Sequence, residues 1–157
     1  MAINTKKVTG RRKLRFENLD ALLADAEAMA SGNARTIGNW SQGQIYKHVG
    51  GFMHDCIDGI DFTLPWYMRV VGRLARGWVL THTPPAGFQL RGSAANALIP
   101  PPVDLEEGLG ILRDGVRRLQ TETQRHASPL IGRLTADQWN QVHCRHAELH
   151  FSFIVSG

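Results

Sequence analysis

The chain has 157 residues, 43% of them hydrophobic, which indicates one globular domain. No apolar run approaches the roughly 20 residues of a membrane-spanning helix, which excludes a transmembrane helix of that kind. The net charge of +4 is concentrated near the N-terminus, because residues 16–157 carry twelve basic against fourteen acidic residues. Two cysteines, Cys56 and Cys144, are too few for a disulfide framework, and no apolar signal segment precedes them, so we expect a cytoplasmic protein with buried thiols.

The first segment, the basic leader of residues 1–15, carries six cationic side chains before the first acidic residue, Glu17. We expect it to be a loosely packed, solubilising extension. The alternative is that it binds nucleic acid or anionic lipid, as lysine and arginine clusters do. Nucleic-acid binding by the rest of the domain is not expected, because its charge is slightly negative.

Four segments with apolar residues at three- and four-residue spacing predict amphipathic helices. Each begins at a residue type that caps helices, and three of them place a capping-box partner three residues later. The predicted caps are Asn18, Ser41, Asp104 and Thr135. The predicted capping-box partners are Gln44, Glu107 and Gln138. Gly32 and Asn33 are expected to end the first helix.

The connection between the second and third helices, residues 62–103, is long and broken by prolines. Within it, the sequence PWYMRVVGRLARGWVL predicts a short extra helix with an apolar stripe and three arginines. A basic amphipathic helix of this kind lies on a membrane, packs on the domain body or contributes to a homodimer interface, and the pattern leaves all three open.

Four amphipathic helices bury all their apolar stripes together in a four-helix bundle, so we expect an all-α fold in which residues 1–157 form a single domain. Short links favour antiparallel neighbours within the first and last helix pairs. The long link allows the second and third helices to run parallel after a crossover. No segment alternates with period two, so essentially no sheet is expected.

His146 and His150 lie four residues apart on the predicted fourth helix, so both side chains point to the same face. Two imidazoles at this spacing bind one cation, and His48 on the second helix provides a third nitrogen. Three protein ligands leave coordination positions open, as in a catalytic metal centre. The alternative is a polar network of core histidines.

Other polar residues near the predicted site have weaker support. His143 is the nearest candidate for a general base, and a buried polar role on the same helix is the alternative. Asp55 is either a hydrogen-bond acceptor for a ligand histidine or a solvated charge. Gly50 and Gly51, just after His48, indicate a close neighbour, a substrate or a kink.

The segments NWSQGQIYKHVGG and WNQVHCRHAELHFSF resemble the second- and fourth-helix signatures of the DinB-like superfamily. The first carries Trp40 and Ser41, followed by His48, and the second carries His146 and His150. RRKLRFENLDALLADAEAMA and the PAGF at Pro85–Phe88 also look like one uncharacterised branch of that superfamily. The resemblance spans nearly the whole chain.

The resemblance implies a four-helix bundle with a long link between helices two and three, and three histidines that converge on a divalent metal. Characterised relatives include bacillithiol transferases and mycothiol-dependent maleylpyruvate isomerase. A small-molecule substrate is therefore expected, with a low-molecular-weight thiol as one candidate, in a transferase or hydrolase. The ion is Zn, Ni, Fe or Mn, since imidazole suits most first-row metals.

Two alternatives to an enzyme remain. One is a non-catalytic helical bundle that binds a ligand or protein partner, and the other is nucleic-acid association through the leader. If the protein is an enzyme, the long connection between the second and third helices is a candidate lid over the site, with Phe88 and Leu90 as its apolar residues.

Overall fold

The computed structural model describes residues 3–60, 63–87 and 99–157, and the described chain is mostly helical. A 3₁₀ turn at Thr5–Lys7 comes first. In chain order, the remaining elements are α1 (Leu19–Ser31), β1 (Ala34–Thr36), α2 (Gln42–Asp58), α3 (Trp66–Leu74), α4 (Arg76–Thr81), α5 (Leu105–Thr121), α6 (Ala136–Phe151) and β2 (Ile154–Ser156). No helix of the described residues combines the length and hydropathy needed to span a bilayer.

The four predicted helix caps are confirmed. Asn18 accepts a hydrogen bond from the backbone of α1, and the capping boxes that begin α2 at Ser41 and α6 at Thr135 are complete. At the start of α5, Asp104 accepts from the backbone N–H of Glu107, but the Glu107 carboxylate pairs with Lys47 instead of closing the box. Local sequence therefore sets where these helices begin.

The helices α2 and α5 form the tightest helix pair and run parallel. Gly43 lies against Gly108 near the start of both helices, and Gly50 lies against Leu112 one to two turns later. Gly115 then faces Met53. Because neighbours advance in the same direction along both helices, the two run parallel, as the long connection between them allows.

The core lies between the four long helices α1, α2, α5 and α6. The pairs α1–α5, α2–α6 and α1–α6 are also in contact, so every long helix contributes a buried face. Cys56 and Cys144 are both buried free thiols, as expected. The largest fully buried side chains include Trp139, Tyr46, Phe151, Leu22, Met53, Leu109 and Leu112.

A short antiparallel pair of strands corrects the expectation of essentially no sheet. Ala34 in β1 pairs with Ser156 in β2, and Thr36 pairs with Ile154. The backbone N–H of Ile37 extends the pairing by donating to the carbonyl of Phe153 at 3.0 Å. Strands of three residues are too short to show period-two alternation, which is why sequence pattern did not reveal them.

The expectation of a loosely packed leader is wrong for its second half. The Arg12 side chain donates to the carbonyls of Ile154 (2.6 Å) and Phe151 (3.2 Å) and to both carboxylate oxygens of Asp25 (2.7 and 2.8 Å). The Arg11 guanidinium lies 4.6 Å from the centre of the Phe153 ring. These arginines are bound to the end of α6, so their charge serves packing rather than solubility.

The predicted extra helix in the crossover is present but divided at Ala75 into α3 and α4. Most apolar side chains of these two helices face solvent. The alternative in which the apolar stripe packs on the domain body is therefore wrong. The candidate lid residues Phe88 and Leu90 lie outside the described residues.

Candidate metal centre

Three histidines that are distant in sequence lie together between α2 and α6. His48, His146 and His150 each offer a ring nitrogen, and these nitrogens lie within 4.8 Å of one another. The Nε2 atoms of His48 and His146 are 3.2 Å apart, and the three ring centroids are 4.5, 4.6 and 5.0 Å apart. The structure thus brings together all three residues that the sequence proposed as metal ligands.

Aromatic rings form the walls of this histidine cluster. Trp40 stacks on His150 with the ring centroids 5.4 Å apart, and it also contacts the His48 ring at 4.9 Å. Phe52 packs edge-on against His146, with centroids 4.9 Å apart. The sequence did not predict these contacts, because spacing along the chain does not show which ring covers which histidine.

The strand pair explains how Trp40 reaches the cluster. Trp40 lies in the short segment between β1 and α2, and His150 lies in the last turn of α6, just before β2. The pairing of β1 with β2 and the Ile37–Phe153 hydrogen bond hold these two segments side by side. The sheet therefore positions one wall of the site.

Burial and neighbouring positive charge lower the pKa values of two of the clustered histidines. Burial, reinforced by the neighbouring histidines, lowers the pKa of His146 well below its ordinary value of 6.5. Burial, His48 and the positive charge of Arg11 do the same to the pKa of His150. Both rings are therefore neutral at pH 7, which is the form that binds a metal ion.

The two ring nitrogens of His146 have different surroundings. Among the described residues, Nδ1 of His146 is buried without a hydrogen-bond partner, whereas Nε2 faces His48. The polar interactions of this ring depend on Nε2, which points into the cluster.

His143, the candidate general base, lies one turn before His146 and is completely buried. Its Nε2 atom is 3.2 Å from the sulfur of Cys56, and its ring stacks on Trp139 with centroids 5.4 Å apart. Burial lowers the pKa of His143 to about 3 and raises the pKa of Cys56 to about 12. Both groups are therefore neutral, and these contacts favour a packing role.

Asp55 is the remaining polar candidate near the predicted site. Asp55 is exposed on α2, and partial burial raises its pKa, with the charges of His54 and Asp58 as smaller influences. His54 faces α5, where its ring nitrogens contact Arg118 and the carbonyl of Ile111. These surroundings favour a solvated charge at Asp55 over a hydrogen-bond acceptor for a ligand histidine.

Gly50 and Gly51 have different environments, which answers the question their sequence raised. A Cβ atom at Gly50 would lie 2.8 Å from the Cα of Leu112, so Gly50 admits the close approach of α5. A Cβ atom at Gly51 would meet nothing within 4 Å. Gly50 thus serves helix packing on the side of α2 opposite His48, whereas Gly51 serves neither packing nor a turn.

The other side of α6 carries a buried ion pair that the sequence did not reveal. Glu148 is completely buried and pairs with Arg145 at 2.8 Å. It also accepts a hydrogen bond from the backbone N–H of Phe16 at 2.7 Å and one from the hydroxyl of Thr83. This carboxylate joins α6 to Phe16, just after the leader, and to Thr83 of the crossover, so both sides of α6 are covered.

A family model described as a protein of unknown function, DUF1569, matches residues 8–157. The chain belongs to this family. The match includes all three clustered histidines and most of the leader, so the family domain contains both the site and the arginines that cover the end of α6. Comparison with curated proteins and with solved structures found no match.

Proposed function

We propose that this protein is a metal-dependent enzyme of the DinB-like type, a four-helix bundle that holds one divalent ion through His48, His146 and His150. The observation that carries the proposal is the convergence of three imidazoles, each offering a ring nitrogen within 4.8 Å of the others. Nothing in their sequence positions requires this convergence, since His48 and His146 are 98 residues apart.

The donor set suits a first-row metal ion. Two nitrogens bound to one tetrahedral ion at about 2.0–2.1 Å lie about 3.3–3.4 Å apart. The 3.2 Å between the Nε2 atoms of His48 and His146 is close to that separation. Three imidazoles suit Zn, Ni, Fe or Mn, so the donor set fits a metal without selecting among these ions.

The residues around the histidines would restrict what reaches the ion. Trp40 and Phe52 shield the rings from bulk water and hold their orientation. When bound, an ion in such a site acts as a Lewis acid and lowers the pKa of a coordinated thiol or water. We therefore favour a transferase or hydrolase that acts on a small molecule, with a low-molecular-weight thiol as the first candidate.

A non-catalytic bundle is the second candidate function, and one observation favours it. The 3.2 Å separation of the two Nε2 atoms is also that of a direct hydrogen bond between neutral imidazoles. In that case the histidines form a polar core network and the protein binds a ligand or a protein partner. Metal content distinguishes this candidate from the enzyme.

The test is elemental analysis of untagged protein, purified without chelators so that no affinity tag contributes metal. The enzyme proposal expects about one first-row ion per chain, as for a mononuclear three-histidine site. Addition of Co²⁺ to the chelator-treated protein should then give visible absorption bands of a nitrogen-bound ion. Background metal content together with a silent Co²⁺ titration would assign the histidines to a polar network. A thiol-transfer screen follows only for the metal-loaded protein.

A further inference from the structure

The exposed apolar side chains of this protein are concentrated on the crossover helices. On α3, Trp66 is 75% exposed, Val71 is 63% exposed and Leu74 is 84% exposed. Isolated exposed apolar residues are ordinary, but a contiguous group of this size marks a binding surface. The full group, called here the α3 surface, consists of Trp66, Tyr67, Val70, Val71, Leu74 and Trp78.

A helix that packs on a core buries its apolar side chains, whereas α3 exposes them. Trp66, Val70 and Leu74 follow at four-residue intervals and form one stripe. Gly72 lies on the opposite side and is buried against the backbone and side chain of Leu130. The helix thus contacts the domain through a glycine and presents its large apolar side chains outward.

Within the crossover that carries the α3 surface, the charged side chains have one sign. Residues 62–103 contain four arginines and no aspartate or glutamate. Arg69 and Arg73 are exposed on α3, beside the apolar stripe. Arg76 donates to the side chain of Gln138 at 2.7 Å and so fixes α4 to the start of α6.

The basic leader adds positive charge to the same part of the molecule. Arg15 donates to the carbonyl of Thr81, at the end of α4, at 2.9 Å. The Lys6 side chain packs against Gly87, in the turn that follows α4. Thr81 is one turn after Trp78, so Arg15 of the leader lies beside the α4 end of the apolar surface.

We propose that the α3 surface docks this protein onto an anionic lipid bilayer. Outward tryptophan, tyrosine and leucine side chains with flanking arginines are the features of a helix that lies in the membrane interface. Anionic headgroups complement the arginines, whereas a second copy of the chain would bring two sets of the same arginines together. Charge therefore favours lipid over self-association.

The test is co-sedimentation of the full chain with vesicles of phosphatidylglycerol and phosphatidylcholine, compared with vesicles of phosphatidylcholine alone. The wild type should bind the anionic vesicles, and binding should weaken as salt is raised to about 0.5 M. Leu74→Glu should weaken binding roughly tenfold or more, since it removes an inserted side chain and adds a negative charge. Arg69→Gln should weaken it about fivefold.

The matched control is Ile99→Asp, which changes an exposed apolar side chain at the other end of the molecule. Ile99 is 59% exposed, and the carbonyl of neighbouring Pro100 accepts a hydrogen bond at the start of α2, far from Leu130. The control should bind vesicles like the wild type. Absence of binding to anionic vesicles, or equal binding by Leu74→Glu and the wild type, would overturn the proposal. A dimer in light scattering that Leu74→Glu dissociates, without vesicle binding, would assign the surface to a second copy.

Discussion

Gly50 of α2 lies so close to Leu112 of α5 that a Cβ atom at Gly50 would be 2.8 Å from the Leu112 Cα and N atoms. The glycine is therefore a requirement of the helix pair and not a weakness in α2. The neighbouring Gly51 has open space around its Cα, so the two glycines form a matched pair of test positions.

We expect Gly50→Ala to lower the free energy of unfolding by about 1–3 kcal/mol, because the added methyl group must push α2 and α5 apart. Gly51→Ala should leave it unchanged or raise it by up to about 1 kcal/mol, since alanine favours a helix more than glycine does. Urea denaturation of both variants measures the difference. Equal effects of the two substitutions would contradict the close packing described for Gly50.

The three clustered histidines should behave as one site. Replacement of His48, His146 or His150 by alanine is expected to remove most of the bound metal, because two imidazoles hold a divalent ion much less tightly than three. Exposed His126 provides the control, and His126→Ala should retain the wild-type metal content. Elemental analysis gives the readout, with circular dichroism to confirm that each variant is folded. A variant with full occupancy would remove its residue from the proposed ligand set.

Arg12 should matter far more than its neighbour of equal charge. Arg12→Ala leaves the carbonyls of Ile154 and Phe151 without their donor and Asp25 without its partner, so we expect a loss of about 2–3 kcal/mol in the free energy of unfolding. Lys13 is exposed, and Lys13→Ala should change stability by no more than about 0.5 kcal/mol. Thermal melts of both proteins provide the comparison. A change in stability at Arg12→Ala as small as that at Lys13→Ala would show that the leader is loosely packed.

Sequence pattern predicted the parts of the fold that depend on near neighbours. The caps at Asn18, Ser41 and Thr135 follow from hydrogen bonds that span three residues, and each is present. Arg12 binds the carbonyl of Ile154, 142 residues away, and the buried Glu148 accepts from Phe16, 132 residues away, and from Thr83, 65 residues away. A charged residue in a sequence gives no indication of such distant partners, so both were missed.

In the candidate site too, the sequence predicted what depends on near neighbours and missed what depends on distant segments. The four-residue spacing of His146 and His150 is a local property of one helix, and it predicted their shared face. The covering of His150 by Trp40 depends on the β1–β2 pairing, for which the sequence has no periodic signal. Similarly, periodicity identified the apolar stripe that contains Leu74 but could not show that it faces outward.

Stability should decrease in acid because of His143. Burial lowers the pKa of His143 to about 3 in the folded protein, whereas the ordinary value of 6.5 applies to the unfolded chain. Between these values the unfolded chain binds a proton that the folded protein does not, so the free energy of unfolding falls as the pH falls. The contribution is fully present above pH 6.5, and the slope is at most about 1.4 kcal/mol per pH unit for this histidine.

The measurement is urea denaturation at a series of pH values in the presence of a chelator, which removes any contribution from bound metal. His146 and His150 act in the same direction, since burial lowers their pKa values too. His143→Gln should therefore reduce the slope without abolishing it. A slope in His143→Gln equal to that of the wild type would show that His143 becomes protonated in the folded protein.

The parallel arrangement of α2 and α5 also has a consequence for how the chain reaches its native state. The most extensive helix contact joins two segments separated by the whole crossover, so it forms only after that long stretch of chain has closed into a loop. Helical proteins usually fold fast because their contacts are local. Here the decisive contact is distant, and the folding rate of this protein should be nearer to that of a mixed α/β domain than to that of an up-and-down bundle of the same length.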